Sequence, residues 1–260
     1  MVPIRSPDVV ISRKQCVHSR HLACGRVQLP DQGLPDRPGA LGAVASRIGS
    51  VGGDVVSIDV LEHGGGIVVD ELGVGLAGDH LIALLRDEIL EVDGVVVETV
   101  RPVVGELPDR QAEILGVATE LIKQTSRAGL LERLVVRVRR SLTASSAVIF
   151  DVGSTAVFTN DGEPPDHDRL CRMADLAVAS GSAQDADESV GGPIAGDLAV
   201  QVRPVDTSVV NDEGTMVAAS LAYAGLVLIV QRDEPILRLR EREWISIMAD
   251  LVDHGWRQLD

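Results

Sequence analysis

The sequence predicts an α+β protein of two domains, each built on an antiparallel sheet with flanking helices. Three observations lead there. Over about 80 residues near the front, apolar periodicity switches between two and 3.6 in the order strand–helix–strand–strand–helix–strand. A short run holding glycine and proline, residues 105–110, then separates this part from a second series of helices and strands. Finally, the chain of 260 residues exceeds one ordinary domain, and its 45% apolar content can fill two cores. Aromatics make up only 2%, so those cores must rely on Val, Leu, Ile and Ala.

Residues 1–23 carry Arg5, Arg13, Lys14 and Arg20 against the single acid Asp8 and read as a poorly ordered leader, with a possible short strand at Val9-Val10-Ile11. Cys16-x-His18-x-x-His21-x-x-Cys24 crowds four zinc-ligand types into nine residues. Structural zinc sites instead space their ligands as pairs across a long loop, so a solvated tail is expected and no metal. Cys24 to Leu29 reads as the first strand. Asp36-Arg37-Pro38-Gly39-Ala40-Leu41-Gly42 then opens a helix, with Ala40, Val44 and Ile48 at helical spacing. Proline suits the first helical position, where its missing N–H costs nothing. Gly39 beside it takes away a side chain where backbone N–H groups point outward, and such a helix start seats a carboxylate.

Gly49, Gly52 and Gly53 end the helix, and Val55 to Leu61 reads as a β-branched strand. His63-Gly64-Gly65-Gly66 turns the chain into a second strand, Ile67 to Leu76. Asp79 to Leu90 reads as a helix that buries Leu81, Leu84, Leu85 and Ile89. Gly94 leads to the last strand, Val95 to Val103. Within this part, Gly73-x-Gly75-x-x-Gly78 matches the dinucleotide fingerprint letter for letter. Leu72, Val74 and Leu76 keep strand alternation running through those glycines, whereas the fingerprint needs them in a loop. No nucleotide cofactor is therefore expected.

Residues 24–104 resemble the ACT domain, a ferredoxin-like module that binds amino acids and regulates metabolic enzymes. The resemblance is carried by Pro35-Asp36-Arg37-Pro38-Gly39-Ala40-Leu41, by Gly52-Gly53-Asp54-Val55-Val56-Ser57-Ile58, and by Asp93-Gly94-Val95. It implies a ligand held between two domains, against the loop before the first helix and the start of the second strand. That implicates Asp36, Arg37, Pro38, Gly39, Ala40 and Leu41 on one side, and Asp54 and Val55 on the other. It also implies a homodimer joined through sheet edges. Asn is frequent in the family where Asp54 stands. An ionised Asp only accepts hydrogen bonds, so Asp54 would face the ligand's ammonium.

Beyond the linker, residues 111–260 read as a second domain. Ala112 to Gln124 is expected to be a helix burying Leu115, Ala118, Leu121 and Ile122. A second helix, Leu130 to Leu142, would bury Leu131, Leu134, Val135 and Val138. Strands follow at Ser146 to Val152 and Ala156 to Thr159, then a helix from Asp166 to Ser180. Gly181 to Gly196, rich in Gly, Ser, Asp and Ala, reads as a long loop. Three strands, Leu198 to Val202, Thr215 to Ala222 and Gly225 to Gln231, precede a closing helix, Leu239 to Leu259, with Trp244, Ile247, Met248, Leu251 and Val252 inward. This element order resembles the GAF fold, a small-molecule sensor module. The nearest local match is Tyr223-Ala224-Gly225-Leu226-Val227-Leu228-Ile229-Val230 followed by Glu234-Pro235 and the helix at Arg240. Cys171 falls on the inward spacing of its helix with Leu176, as a small core residue would.

No catalytic constellation emerges: the serines at 141, 145, 146 and 154 lack a glycine-flanked nucleophile elbow, and His167 beside Asp166 and Asp168 marks a helix start. The acids from Asp185 to Glu188 read as a solvated loop rather than a metal site. With 24 basic and 39 acidic residues the net charge is −15, a poor prospect for nucleic acid, and no predicted helix shows a basic stripe. The odd count of 3 Cys favours a reducing, cytoplasmic setting. No apolar run is long enough to span a membrane, and none has the form of a signal peptide. The expectation is a non-catalytic, homodimeric regulatory protein sensing a small ligand, an amino acid foremost, and acting on an unidentified protein partner. The alternative is a protein-interaction adaptor whose domains no longer bind ligands.

Overall fold

His21–Pro30 forms the first strand, β1, at the interior of a four-stranded sheet. The structure is a computed structural model, and it describes residues 21–30, 39–64, 67–103, 109–187, 208–211 and 213–259. It divides into two compact units, Met1–Asp59 with Gly66–Leu107, and Val60–Gly65 with Pro108–Asp260. After β1 come α1 (Ala40–Ser50), β2 (Asp54–Gly64), β3 (Ile67–Leu76), a tight 3-10 turn (Asp79–Leu81), α2 (Ile82–Leu90) and β4 (Val96–Val103). The sheet order is β2-β3-β1-β4, with β1 antiparallel to both β3 and β4. Val44 and Ile48 from α1 and Leu85 and Ile89 from α2 pack on Leu72, Val74 and Leu76 of β3 and on Val97 of β4.

Several expectations need correction here. β1 starts at His21, opposite Leu76, so the leader's last three residues are strand, while Val9-Val10-Ile11, Cys16 and His18 lie outside the described residues. The first helical position, assigned to Pro38, belongs to Ala40. In α2 the buried stripe runs through Leu85 and Ile89 with Leu81 and Ile82 half-covered, which turns Leu84 out to solvent. The 3-10 turn delays the start of the α-helical phase to Ile82. Gly73 and Gly75 sit inside β3, opposite Cys24 and Leu22, as strand alternation requires.

The second unit is built from α3 (Arg110–Ile122), α4 (Arg127–Ser141), β5 (Ser146–Asp151), β6 (Ala156–Gly162), α5 (His167–Asp187), β7 (Val209–Val210), β8 (Met216–Leu221), β9 (Leu226–Gln231) and α6 (Leu239–Trp256). Its sheet runs β6-β5-β9-β8-β7 and is antiparallel throughout. Strands β5, β8 and β9 are nearly continuous apolar runs because helices cover both faces. Ala147, Ile149, Val217 and Leu228 join the core with α3, α4 and α6. Val148, Phe150, Ala218 and Ile229 join the one with α5, through Leu170, Met173 and Ala177. The chain is thus an α+β protein with two antiparallel sheets.

Helix starts follow their caps. Asp109 accepts the N–H groups of Gln111 (2.9 Å) and Ala112 (3.1 Å), so Arg110, read as linker, is already helical. The faces of α3 and α6 differ from expectation. In α3, Ile114, Val117, Ala118 and Leu121 face the core, and Leu115 and Ile122 are exposed. In α6, Trp244, Ile245, Met248, Ala249 and Val252 are buried and Ile247 is exposed. Cys171 packs half-buried against the α5-side core as expected, but Leu176 points to solvent. Helix α5 continues to Asp187, through residues read as loop. The expected strand Leu198 to Val202 lies outside the described residues. Contrary to the charge reading, α4 does carry Arg127, Arg133, Arg137, Arg139 and Arg140. Most are answered locally: Arg133 and Arg137 meet Glu120, Arg139 meets Asp161, and Arg127 lies over the Trp256 ring.

Two polar contacts tie α6 to the sheet. At one end Arg232, 3% exposed, forms a bidentate pair with Glu241, 2% exposed, at 2.7 and 2.9 Å. The same guanidinium donates to the carbonyls of Leu142, Pro235 and Ile236, and Glu241 accepts the N–H of Arg238. At the other end Asp253 accepts the N–H groups of Tyr223 (3.1 Å) and Ala224 (3.0 Å) at the tip of the β8–β9 hairpin, where Arg257 covers the Tyr223 ring. Replacing Asp253 by Ala leaves two hairpin amides without their acceptor. It is expected to lower stability by about 1–3 kcal/mol, read as a drop in thermal midpoint. All five aromatic residues, Phe150, Phe158, Tyr223, Trp244 and Trp256, fall in this second unit.

Candidate functional site

The start of α1 is shaped by Gly39. Its φ of +109° is a left-handed conformation that glycine adopts without strain, and a Cβ there would meet nothing within 4 Å. The first helical bond runs from Ala43 N–H to Gly39 O at 2.8 Å, so the N–H groups of Ala40, Leu41 and Gly42 precede it. Gly39 has no side chain with which to cap this end, and no acid stands in the first turn. The result is a helix N-terminus whose partial positive charge is not answered by its own turn. Leu41 and Gly42 are exposed and Ala40 is half-buried. Asp36, Arg37 and Pro38 lie outside the described residues.

The second predicted wall begins after the other end of α1. Gly52, at φ +75°, and Gly53 stop the helix through bonds to the Gly49 and Ile48 carbonyls, both 3.0 Å. A Cβ on Gly53 would press on Ile48 Cγ2 at 2.8 Å and on Leu76 Cδ2 at 3.2 Å. A left-handed backbone at Gly52 and close packing at Gly53 therefore account for this glycine pair. Asp54 then opens β2 from an exposed position, and Val55 turns toward the α1–α2 core. The 11 residues of α1 span about 16 Å, so one copy holds Gly39, Ala40 and Leu41 at one end and Asp54 and Val55 beyond the other. A single ligand touching both groups requires two copies. Sequence reasoning passed over Gly42 as a site residue, although it shares the first turn; its helical backbone and open surroundings accept any side chain.

In the second unit the chemistry-bearing side chains are engaged structurally. The Ser141 hydroxyl donates to Glu113 at 2.6 Å. Asp151 accepts the N–H groups of Gly153 (2.8 Å) and Ser154 (3.3 Å) in the β5–β6 turn. The Ser154 hydroxyl, ahead of those amides, holds the Asp151 carboxyl below its ordinary pKa. His167 Nε2 lies 3.5 Å from Cys171 Sγ, one helical turn away, with its ring against Phe150. Among the described residues no group of three or more His, Cys, Asp or Glu converges to hold a metal, and no helix is long and apolar enough to cross a membrane.

No family model matches the chain. No curated protein matches it either. Among solved structures the chain is similar to the GAF domain from an Acinetobacter phosphoenolpyruvate-protein phosphotransferase, at 10% identity and a TM-score of 0.37, over 58% of this chain and 95% of that one. It is also similar to an unknown protein from Galdieria sulphuraria, at 14% identity and a TM-score of 0.29, over 39% of this chain and 64% of that one, which is less than two thirds of its length.

Proposed function

We propose that this is a non-catalytic, cytoplasmic regulatory protein that senses an amino acid at an ACT-like first unit and relays the signal through a GAF-like second unit. The observation that carries the reading is the start of α1, with a left-handed Gly39 that has no side chain to cap the helix, three leading N–H groups and no acid in the first turn. Such a terminus offers a ligand carboxylate charge-assisted hydrogen bonds, each worth about 1.5–3 kcal/mol. Asp54 of a second copy would then receive the ammonium. A thermal-shift screen of the twenty amino acids and common nucleotides tests it. Binding to the folded state alone raises stability by about 2.7 kcal/mol at a hundredfold excess over Kd.

Gly42→Glu is the matching variant. A carboxylate in the first turn complements the helix dipole and should add about 0.3–1 kcal/mol to stability. The same carboxylate would occupy and repel the ligand's place, so affinity should fall a hundredfold or more. Gly39→Val is the poorer choice, since a branched residue at φ +109° strains the fold itself. Unchanged affinity in Gly42→Glu would move the ligand away from α1. Silence across the whole panel would favour the adaptor reading. The exposed Val56, Ile58 and Val60 on one face of β2 are the observation that speaks for it.

A further inference from the structure

β2 is an outer strand of the first sheet, so every second residue along it turns its backbone N–H and C=O away from β3. Exposed edges are normally blunted by proline, lysine or a bulge. From Val55 to Ile58 this one has neither proline nor lysine, and Val55, Val56 and Ile58 are β-branched. Val55 turns toward the α1–α2 core, while Val56 and Ile58 are 53% and 48% exposed on the opposite face. Such a stretch is a template for one more strand.

Charge and reach select its occupant. Of the chain's 24 basic and 39 acidic residues, 4 basic and 1 acidic lie in residues 1–20, which leaves 20 and 38 for the rest. The leader thus carries +3 against a body of −18, and β2 itself holds Asp54, Asp59 and Glu62 with no Lys or Arg. Its β-branched run, Val9-Val10-Ile11, lies between Arg5 on one side and Arg13-Lys14 on the other. The leader meets the sheet at His21, opposite Leu76, and a Cβ on Gly53 would lie 3.2 Å from Leu76 Cδ2. It therefore joins at the end where β2 begins. From β1 past β3 and β2 to a new outer strand is three spacings, about 15 Å. Residues 12–20 can span about 30 Å. We propose that residues 9–11 add a fifth strand to the first sheet, antiparallel to β2, with Val9 and Ile11 beside Ile58 and Val56. The added strand closes the edge to any other chain. The inference stands apart from the ligand reading, because it concerns the chain without any ligand.

Amide hydrogen exchange of the full chain, at two protein concentrations about tenfold apart, tests it. Val9→Asp combined with Ile11→Asp sets acids against an acidic strand and removes the apolar contact. The amides between Val55 and Ile58 that face away from β3 should then exchange at least about tenfold faster than in the wild type, with Val74 and Leu76 unchanged. Equal exchange in the two proteins overturns the added strand. So does wild-type protection that grows with concentration, since it assigns the edge to a second copy. Should the double variant fail to fold, trypsin acting on the wild-type chain decides. Cleavage after Arg5 and Arg13 should run at least about tenfold slower than in a free peptide of residues 1–20, and equal rates overturn the inference.

Discussion

Replacing Glu241 by Ala is expected to cost about 3–5 kcal/mol, a large share of the roughly 5–15 kcal/mol that holds a domain folded. The loss comes less from the missing attraction than from what remains. Arg232 would stay almost fully buried with its charge unanswered, and the Arg238 amide at the start of α6 would lose its acceptor. Removing the pair together, as Arg232→Met with Glu241→Leu, takes away the stranded charge. It should still recover only part of the loss, because the carbonyls of Leu142, Pro235 and Ile236 rely on the same guanidinium. Urea titration followed by tryptophan emission gives the measurement, as Trp244 and Trp256 both lie on α6. A single-variant loss under about 1 kcal/mol would mean that water reaches this pair and solvates it.

Gly162→Ala should be nearly as damaging, at about 2–5 kcal/mol. The backbone there sits at φ +85°, which costs an L side chain about 1–2 kcal/mol. The added Cβ would also collide with the Ser145 carbonyl oxygen and come within 2.8 Å of Arg139 Nε and 3.0 Å of Ser146 Cα. Overpacking of that kind adds about 1–3 kcal/mol. It would push Arg139 off both the Ser145 carbonyl and Asp161, opening the outer edge of the second sheet. Gly225→Ala is the control, with φ +69° but nothing within 4 Å, so only the backbone cost remains. Equal midpoints for the two variants would show that the β5–β6 edge relaxes around the methyl group.

What the sequence makes legible divides by physical range. Strands whose alternation is local were readable: Ile67–Leu76 has the bounds that its pattern predicts, glycines included. Helix starts marked by a capping residue were readable to within three residues, α3 beginning two before Ala112 and α4 three before Leu130. The rotation of a helix was not, as Leu84, Leu115, Ile122 and Ile247 show. Apolar residues three or four apart mark a stripe, but two neighbouring stripes on one helix look alike until the sheet beneath selects one. The start of α1 was legible in Gly39 as a break, whereas its left-handed backbone, and hence the unsuitability of a valine there, needed the fold. Gly53 looked like part of a ligand motif and turns out to make room for Ile48 and Leu76. The Arg232–Glu241 pair was invisible, because nothing in nine residues of separation says that a strand end and a helix start will exclude water together.

The confinement of every Phe, Tyr and Trp to the stretch between Phe150 and Trp256 bears on what the first unit can select. A nucleobase, an indole or a phenol side chain is usually gripped by stacking, and no Phe, Tyr or Trp precedes Phe150, which leaves the smaller imidazoles of His18, His21, His63 and His80. Discrimination at the start of α1 would instead come from backbone amides on the charged end of a ligand and from aliphatic contact on the other. That chemistry ranks branched and straight-chain side chains by size, at about 1–3 kcal/mol per methylene. Among the amino acids in a screen, the aliphatic ones should therefore lead and Trp and Tyr should trail. Binding to this unit will also be silent in intrinsic fluorescence unless it reaches α6.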